Sequence, residues 1–343
     1  MIGRVTWTDY TENDEHGVLV RLSARLTNGE KFNGYVKGTN PYVFVPSDEP
    51  LPNRSFIRHS EEGYESLFGH DLQKVVTDTP KQAGNLKDHF SWSGEADVPY
   101  YRRVAIHDGL SGYIDIPEAE EQFRGLPLID IDDIDVDIDV REVIDPRVGI
   151  ADIEVEMGDE SFEQTQENGS QPINVICVYD TQEEEYLVFF YNKYDNLEAE
   201  EVRPKIKSQL DDTDIFDYSD VPINIFSAET EVEMLTSFID CVDERGFDLL
   251  SGWNFVDFDY LYIIQRLKTL YDAGENIHFS WLSPFNTSKQ HRGKQMRICG
   301  LPAFDMMEAF CGKMTFSEWR SQSLEYVSNE ELGIGKIDDV SIN

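Results

Sequence analysis

The chain has 343 residues, 40% of them hydrophobic, so we expect two folded domains with sizeable cores rather than a disordered chain. Acidic residues outnumber basic ones 67 to 29, and the formal charge of -38 repels a polyanion in dilute buffer. Such an excess of acidic residues is typical of a protein from a salt-saturated cytoplasm. There, salt screens the repulsion between distant charges, because the Debye length is only ~3 Å at 1 M salt. The alternative is an acid-rich protein that buffers metal ions or binds partners.

The cysteines argue against a disulfide framework and against a zinc site, because no two of them form a C-x-x-C pair. They are Cys177, Cys241, Cys299 and Cys311. Residues 1–10 lack the basic and apolar pattern of a signal peptide, and no apolar run approaches the length of a membrane span. We therefore expect a soluble, cytoplasmic protein with no membrane partner.

Residues 1–117 are predicted to form a β-rich N-terminal domain. Two apolar runs, 18–22 and 42–45, have the composition of strands. Asn28-Gly29 and Asn33-Gly34 predict turns between such runs.

Residues 118–145 are predicted to be an acidic connecting strand or linker. Between 128 and 140, aspartates alternate with β-branched residues, which places acids on one face and apolar groups on the other. A calcium-binding loop beginning at Asp133 is excluded, because Ile138 and Ile144 occupy the positions that require Gly and Glu. An amphipathic edge strand or linker is the favoured interpretation.

From residue 146 onward strands and helices alternate, which predicts a mixed sheet flanked by helices. The predicted strands are 148–155, 173–179, 186–190 and 247–253. One helix is predicted over 231–245, because Thr230 and Glu233 have the form of a capping box and Gly246 follows the helix. A second helix is predicted over 259–270.

The first pattern with chemical meaning is Asp152-Ile153-Glu154. Residues i and i+2 of a strand point to the same side, so Asp152 and Glu154 present two carboxylates from one face. Such a pair is stable with a cation between the groups, and oxygen-only ligands favour Mg²⁺ or Mn²⁺. The alternative is an exposed strand with acids on its solvent face.

The second pattern lies where the predicted strand 247–253 gives way to the helix that opens at Asp259. Asn254, Phe258 and Asp259 occupy this junction. A charged side chain at this position can meet a site above the sheet. The alternative is that Asp259 is a helix N-terminal acid and Asn254 a turn former.

The two patterns together resemble the first and second exonuclease motifs of the family B DNA polymerases, with archaeal members the most similar. Flanking segments at 97–103, 304–307 and 323–327 resemble the same family in the same order. The resemblance implies an α/β (α+β) fold class, with a β-rich N-terminal domain followed by an RNase H-like, DnaQ-type 3′→5′ exonuclease domain over 146–343.

The resemblance also implies roles for single residues. Asp152, Glu154 and Asp259 match catalytic carboxylates that bind two Mg²⁺ or Mn²⁺ ions for phosphodiester hydrolysis. Asn254 and Phe258 match residues that hold the 3′ end of a DNA strand. The implied substrate is the single-stranded 3′ end of a primer-template, and the implied function is proofreading within a DNA-directed DNA polymerase.

Pro41, Tyr42 and Arg103 fall where archaeal relatives build a pocket that senses uracil in the template. The alternative is ordinary strand packing for Tyr42 and a surface base for Arg103. Trp7 is a further candidate for an aromatic wall of this pocket.

The chain departs from the family pattern in two motifs. No Tyr-x-x-x-Asp motif follows Asp259, and the paired aspartates of a polymerase palm are absent. We therefore expect a chain truncated before the third exonuclease motif, with an incomplete exonuclease domain. The alternative is an inactive DNA- or replisome-binding fragment, or one subunit of a split polymerase, with the remaining polymerase half and a sliding clamp as partners.

Overall fold

The structure is a computed structural model that divides the chain into two compact units, Met1–Asp145 and Pro146–Asn343. It describes residues 1–136, 138, 140, 143–156, 158, 168–191, 199–211, 221–291, 295–312, 319–333 and 335. The predicted boundary between residues 145 and 146 coincides with this division. Residues 118–145, predicted as a connecting segment, belong to the first unit.

In the first unit, the described strands form two sheets. The strands are β1 (Ile2–Asn13), β2 (Gly17–Leu26), β3 (Lys31–Lys37), β4 (Tyr42–Pro46), β5 (Ile57–Glu65), β6 (Asp71–Thr77), β7 (Tyr113–Asp115), β8 (Glu121–Phe123) and β9 (Leu126–Asp130). One sheet has the order β7-β1-β2-β3-β9-β8 and the other the order β4-β6-β5. Helix α1 (Pro80–Leu86) packs on the smaller sheet, and α2 (Tyr100–His107) packs on the larger one.

The strands predicted at 18–22 and 42–45 are confirmed, and Asn28-Gly29 forms the turn between β2 and β3. The turn predicted at Asn33-Gly34 is wrong, because both residues lie inside β3. A Cβ atom on Gly34 would lie 2.6 Å from the Phe32 ring and 3.1 Å from the carbonyl oxygen of Pro127. Close packing, rather than a turn, explains this glycine.

The acidic segment does not continue as one strand from 128 to 140. Strand β9 ends at Asp130, and a 3₁₀ turn follows over Ile131–Asp133. β9 pairs with β3 in parallel and with β8 in antiparallel orientation. Leu128 and Ile129 are both buried, one on each face of β9, which explains why this segment joins the sheet instead of forming an exposed linker. Residues 137, 139, 141 and 142 of the predicted segment lie outside the described residues.

The second unit contains a six-stranded sheet, a small hairpin and flanking helices. Its described strands are β10 (Val148–Val155), β11 (Ile173–Asp180), β12 (Glu185–Tyr191), β13 (Ile223–Ala228), β14 (Leu249–Gly252), β15 (Ser288–His291), β16 (Gln295–Ile298) and β17 (Ala303–Asp305). Its described helices are α3 (Ala199–Asp211), α4 (Glu231–Arg245), α5 (Asp259–Asp272), α6 (Met306–Cys311) and α7 (Leu324–Leu332).

The larger sheet has the order β13-β12-β11-β10-β14-β17 and is mixed. β11 runs antiparallel to β10 and β12, while β14 pairs in parallel with both β10 and β17. The fold class predicted for this unit, a mixed sheet flanked by helices, is confirmed.

The core of the second unit lies between one face of this sheet and helices α4 and α5. Ala151 and Ile153 of β10 contribute to it from the central strand. The predicted signals of α4 are confirmed: the Thr230 side chain accepts a hydrogen bond from the Glu233 nitrogen, and Gly246 adopts a left-handed conformation after the helix. β14 is shorter than predicted and α5 extends two residues further, to Asp272.

All four cysteines are free thiols, as the absence of a C-x-x-C pair indicated. Among the helices that the structure describes, none combines the length and apolar character that crossing a membrane requires.

Candidate active site

The first two acids lie on the central strand of the mixed sheet. Asp152 and Glu154 are exposed on one face of β10, while Ala151 and Ile153 are buried on the opposite face. The alternation of a strand therefore presents both carboxylates to solvent and anchors the strand through its apolar residues.

The junction between β14 and α5 lies against this strand. A Cβ atom on Gly252 would lie 2.4 Å from the carbonyl oxygen of Ala151, so only glycine permits the close approach of the two strands. Asn254 then takes a positive φ of 59° and turns the chain, and its carbonyl oxygen accepts a hydrogen bond from the Phe258 nitrogen. The half-buried ring of Phe258 lies 6.1 Å from the ring of Tyr262.

Asp259 begins α5, and its side chain is only 3% exposed. Its Oδ1 accepts a hydrogen bond of 3.1 Å from the main-chain nitrogen of Ile153. Burial raises the pKa of Asp259 to about 7, and the nearby negative charge of Asp152 contributes in the same direction. The structure thus brings Asp259 and Asp152 into electrostatic contact, although 107 positions separate them in the sequence.

Asp305, which lies in the flanking segment 304–307 that resembles the family, organises the junction. Its Oδ2 accepts a hydrogen bond from the Val256 nitrogen, and its Oδ1 accepts bonds from the nitrogens of Met307 and Glu308. It therefore joins the turn before α5 to the first turn of α6. The spacing Asp305-x-x-Glu308, which is typical of a helix N-terminus, is the sequence signal for the cap of α6, whereas the bond to Val256 has no local sequence signal.

The donor chemistry fits a hard divalent cation. Asp152 and Asp259 offer oxygen ligands. Burial raises the pKa of Asp259, and the negative charge of Asp152, which raises it further, is one that such a cation would neutralise. Glu154 is exposed on the same face of β10 as Asp152. Within the described ranges, no group of three or more His, Cys, Asp or Glu side chains is arranged so that it could hold a metal ion. The chemistry of Asp152 and Asp259 therefore fits such an ion, although the described residues do not include a preformed cluster of three acidic ligands.

The other predicted residues lie in the first unit. Pro41 lines a cavity of about 250 Å³ whose rim includes Lys37 and Arg58. Tyr42 is buried, and its hydroxyl donates to Glu95. Burial and the charge of Glu95 raise the pKa of Tyr42, so the hydroxyl stays protonated as a donor.

The interpretation of Arg103 as a surface base is wrong, because this residue is 2% exposed. Its guanidinium donates to the carbonyl oxygen of Tyr42, lies 5.1 Å from the Tyr42 ring centroid and packs beside the Tyr100 ring. The first two of these contacts pack helix α2 against Tyr42 of β4. The uracil-sensing role of Pro41, Tyr42 and Arg103 stays a prediction, as does the contribution of Trp7.

The geometry agrees with a comparison against protein families. The family model of DNA polymerase family B, exonuclease domain, matches residues 94–327, which is more than half of the chain. This chain belongs to that family. The resemblance to the family B DNA polymerases, which the sequence motifs indicated, is therefore confirmed for the family and for its exonuclease domain.

Two curated relatives and one solved structure illustrate the similarity. The DNA-directed DNA polymerase of Escherichia phage RB69 is 27% identical over 208 residues, which cover 56% of this chain and 22% of the relative. The DNA polymerase catalytic subunit of Alcelaphine herpesvirus 1 is 22% identical over 124 residues, which cover 34% of this chain and 12% of the relative. The chain thus spans less than a quarter of the length of these relatives.

The structure of the family B DNA polymerase from the hyperthermophilic archaeon Pyrobaculum calidifontis matches with a TM-score of 0.66 at 18% identity. The match covers 96% of this chain and 39% of the archaeal one. At 18% identity, it shows a shared fold. The archaeal and halophilic assignments stay predictions.

Proposed function

We propose that this chain carries the 3′→5′ proofreading exonuclease function of a family B DNA polymerase. The observation that carries the proposal is the buried Asp259 carboxyl, which lies beside Asp152 and bonds to the strand that bears it. Family B exonuclease domains use divalent metals, and the match to that domain supports the same requirement here.

Each residue has a defined part in the proposal. Asp152 and Asp259, together with Glu154, would hold divalent cations, which supply charge stabilisation for hydrolysis of a phosphodiester bond. Asn254 and Phe258, in the turn that precedes Asp259, would position the terminal nucleotide of a single strand. Asp305 fixes that turn through its bond to the Val256 nitrogen.

The test is release of mononucleotides from a 3′-labelled single-stranded DNA in about 2 M KCl, a concentration at which screening is strong, with Mg²⁺ or Mn²⁺ added. We expect metal-dependent release from the native chain and a loss of about 100-fold or more in the Asp152→Ala variant, by analogy with removal of single charge-stabilising groups. Asp272→Ala, an exposed acid at the far end of α5, is the matched control and should keep the native rate. Native rates in Asp152→Ala would contradict the proposal.

A second function is a binding module without catalysis, which grips template DNA or another replisome component such as a sliding clamp or the remaining polymerase half. It is favoured by one observation: in the ranges that the structure describes, no three metal-binding side chains are gathered. This function predicts that the native chain binds single-stranded DNA but releases no nucleotide, and that Asp152→Ala leaves the binding unchanged.

A further inference from the structure

We propose that aromatic side chains beside the candidate active site, two of them exposed and two half-buried, form a stacking surface for the bases of the strand whose 3′ end enters it. This inference rests on the proposed exonuclease function and names how that site holds its substrate. The aromatic platform, as we call it, consists of Trp253, Phe304, Phe310 and Trp319.

Phe304 lies on the same face of the sheet as the acids. Ile150 of β10 pairs with Ser251 of β14, and Ser251 pairs with Phe304 of β17. Paired residues of parallel strands point to the same side, and Asp152 follows Ile150 by two positions. Phe304 therefore shares the face of Asp152, two strands away on the edge of the sheet, and it is 52% exposed.

Phe310 joins the other two rings of the platform. Phe310 of α6 is 41% exposed, and its ring centroid lies 6.3 Å from that of Trp253 and 5.7 Å from that of Trp319. Trp253 immediately precedes Asn254, and its indole nitrogen donates a 2.9 Å hydrogen bond to the carbonyl oxygen of Gln322. These contacts hold the indole of Trp253 beside Phe310, next to the turn that leads to Asp259.

The platform is fixed to the acids through Asp305. Asp305 follows Phe304 and caps the N-terminus of α6, and its side chain accepts a hydrogen bond from the Val256 nitrogen in the turn before α5. Phe304 and Phe310 are thus presented by elements that the same carboxylate joins to the candidate active site. The platform therefore lies beside the candidate active site and is structurally linked to it.

The aromatic side chains of the platform and the negative net charge of the protein together indicate that nucleobases bind to the platform. Aromatic faces accept bases of any sequence, and each stacked base contributes to affinity without a positive charge on the protein. A chain with a net charge of -38 gains little from phosphate contacts, because it repels the backbone as a whole. Stacking explains how such a chain holds a polyanion, and it predicts binding that persists in concentrated KCl.

The experiment measures fluorescence anisotropy of a 5′-labelled oligo(dT) in about 2 M KCl with EDTA, where screening is strong and hydrolysis does not occur. We expect Phe304→Ala and Phe310→Ala each to weaken binding about 5-fold or more, the effect of losing one stacked base. Tyr271→Ala is the control, because Tyr271 is an equally exposed aromatic residue, 52%, at the end of α5. Phe304→Trp should retain native affinity, and circular dichroism verifies folding of each variant.

A second probe, the same oligonucleotide with abasic sites near its 3′ end, should bind the native chain more weakly and should not distinguish Phe304→Ala from native. Equal oligo(dT) affinity of native, Phe304→Ala and Phe310→Ala would overturn the platform, even if the native chain releases nucleotides. A platform effect without nucleotide release would instead overturn the exonuclease proposal and leave the platform standing.

Discussion

Asp259 Oδ1 accepts a 3.1 Å hydrogen bond from the nitrogen of Ile153, the residue that separates Asp152 from Glu154. This bond ties the N-terminus of α5 to the middle of β10. It places a buried carboxyl beside an exposed one, and the two charges repel each other. Substitutions at this contact should therefore change both the free energy of unfolding of the second unit and its affinity for divalent cations.

Without metal, stability should fall as pH rises through neutrality. The pKa of Asp259 is raised from 3.8 to about 7 in the folded state, so the folded protein holds this proton more tightly than the unfolded chain. The contribution is fully present below about pH 4 and is lost as pH rises through about 7, at about 1.4 kcal/mol per pKa unit. Urea unfolding in EDTA between pH 4 and pH 8 measures it. Asp259→Asn should flatten the slope, whereas Asp272→Asn should not; equal slopes would contradict the assignment.

Mg²⁺ should reverse this loss at pH 8. A cation that binds only the folded state stabilises it by about 1.4 kcal/mol at ten times its dissociation constant. We expect the urea midpoint of the native chain to rise with MgCl₂ at constant ionic strength, and that of Asp152→Ala to rise less. An identical response of both proteins would show that Mg²⁺ acts elsewhere on this acidic surface.

Gly252→Ala should disrupt the approach of β14 to β10. The added Cβ would lie 2.4 Å from the Ala151 carbonyl oxygen, a backbone atom that cannot move alone. Overpacking of this kind costs about 1–3 kcal/mol, and the shift should also reduce nucleotide release. Thermal and urea unfolding report the first effect. Gly112→Ala is the control, because nothing lies within 4 Å of its Cβ position; a Gly252→Ala protein as stable as this control would refute the packing argument.

Arg266→Met should destabilise the second unit by about 3–5 kcal/mol, because it leaves a buried carboxylate without its partner. The Arg266 Nε and Nη2 atoms donate to Glu231 at 2.8 and 2.6 Å, and Nη1 donates to the carbonyl oxygens of Gly169 and Ser170. Urea unfolding measures the loss, and the double variant with Glu231→Met should recover part of it.

The control for this pair is Arg58→Ala, which removes an ion pair with Asp78 that is 46% exposed on both sides and should cost less than about 1 kcal/mol. Equal losses in Arg266→Met and Arg58→Ala would show that burial does not distinguish the two pairs.

Stability should increase with KCl over the molar range. A net charge of -38 destabilises the compact state by self-repulsion, and salt screens it over ~3 Å at 1 M. The urea midpoint should rise steeply between about 0.1 and 1 M KCl, because the Debye length falls from ~10 to ~3 Å over that range. NaCl at the same ionic strength should give a similar rise, because the Debye length depends on ionic strength and not on the identity of the monovalent cation. A midpoint independent of KCl would contradict the halophilic interpretation.

Much of the fold follows from local patterns. Thr230, Glu233 and Gly246 specify the bounds of α4, because capping hydrogen bonds and a left-handed glycine act within a few residues. Asn33-Gly34 shows the limit of the same logic, since its letters predict a turn but the Phe32 ring and the Pro127 backbone require a glycine inside a strand. Arg103 shows it again, because it directly follows Arg102 and nothing in the local sequence indicates that it is buried beside Tyr42.

The sequence by itself determined the family, the alternation that exposes Asp152 and Glu154, and the junction that ends at Asp259. These features depend on the spacing of residues that are close in the sequence, so they do not depend on how the segments are arranged in the fold. Only the tertiary structure decided that Asp259 is buried against Ile153, that Asp305 joins the turn before α5 to α6, and that Phe304 shares a face with the acids. Such relations arise from strand order and register, which bring together residues far apart in the chain.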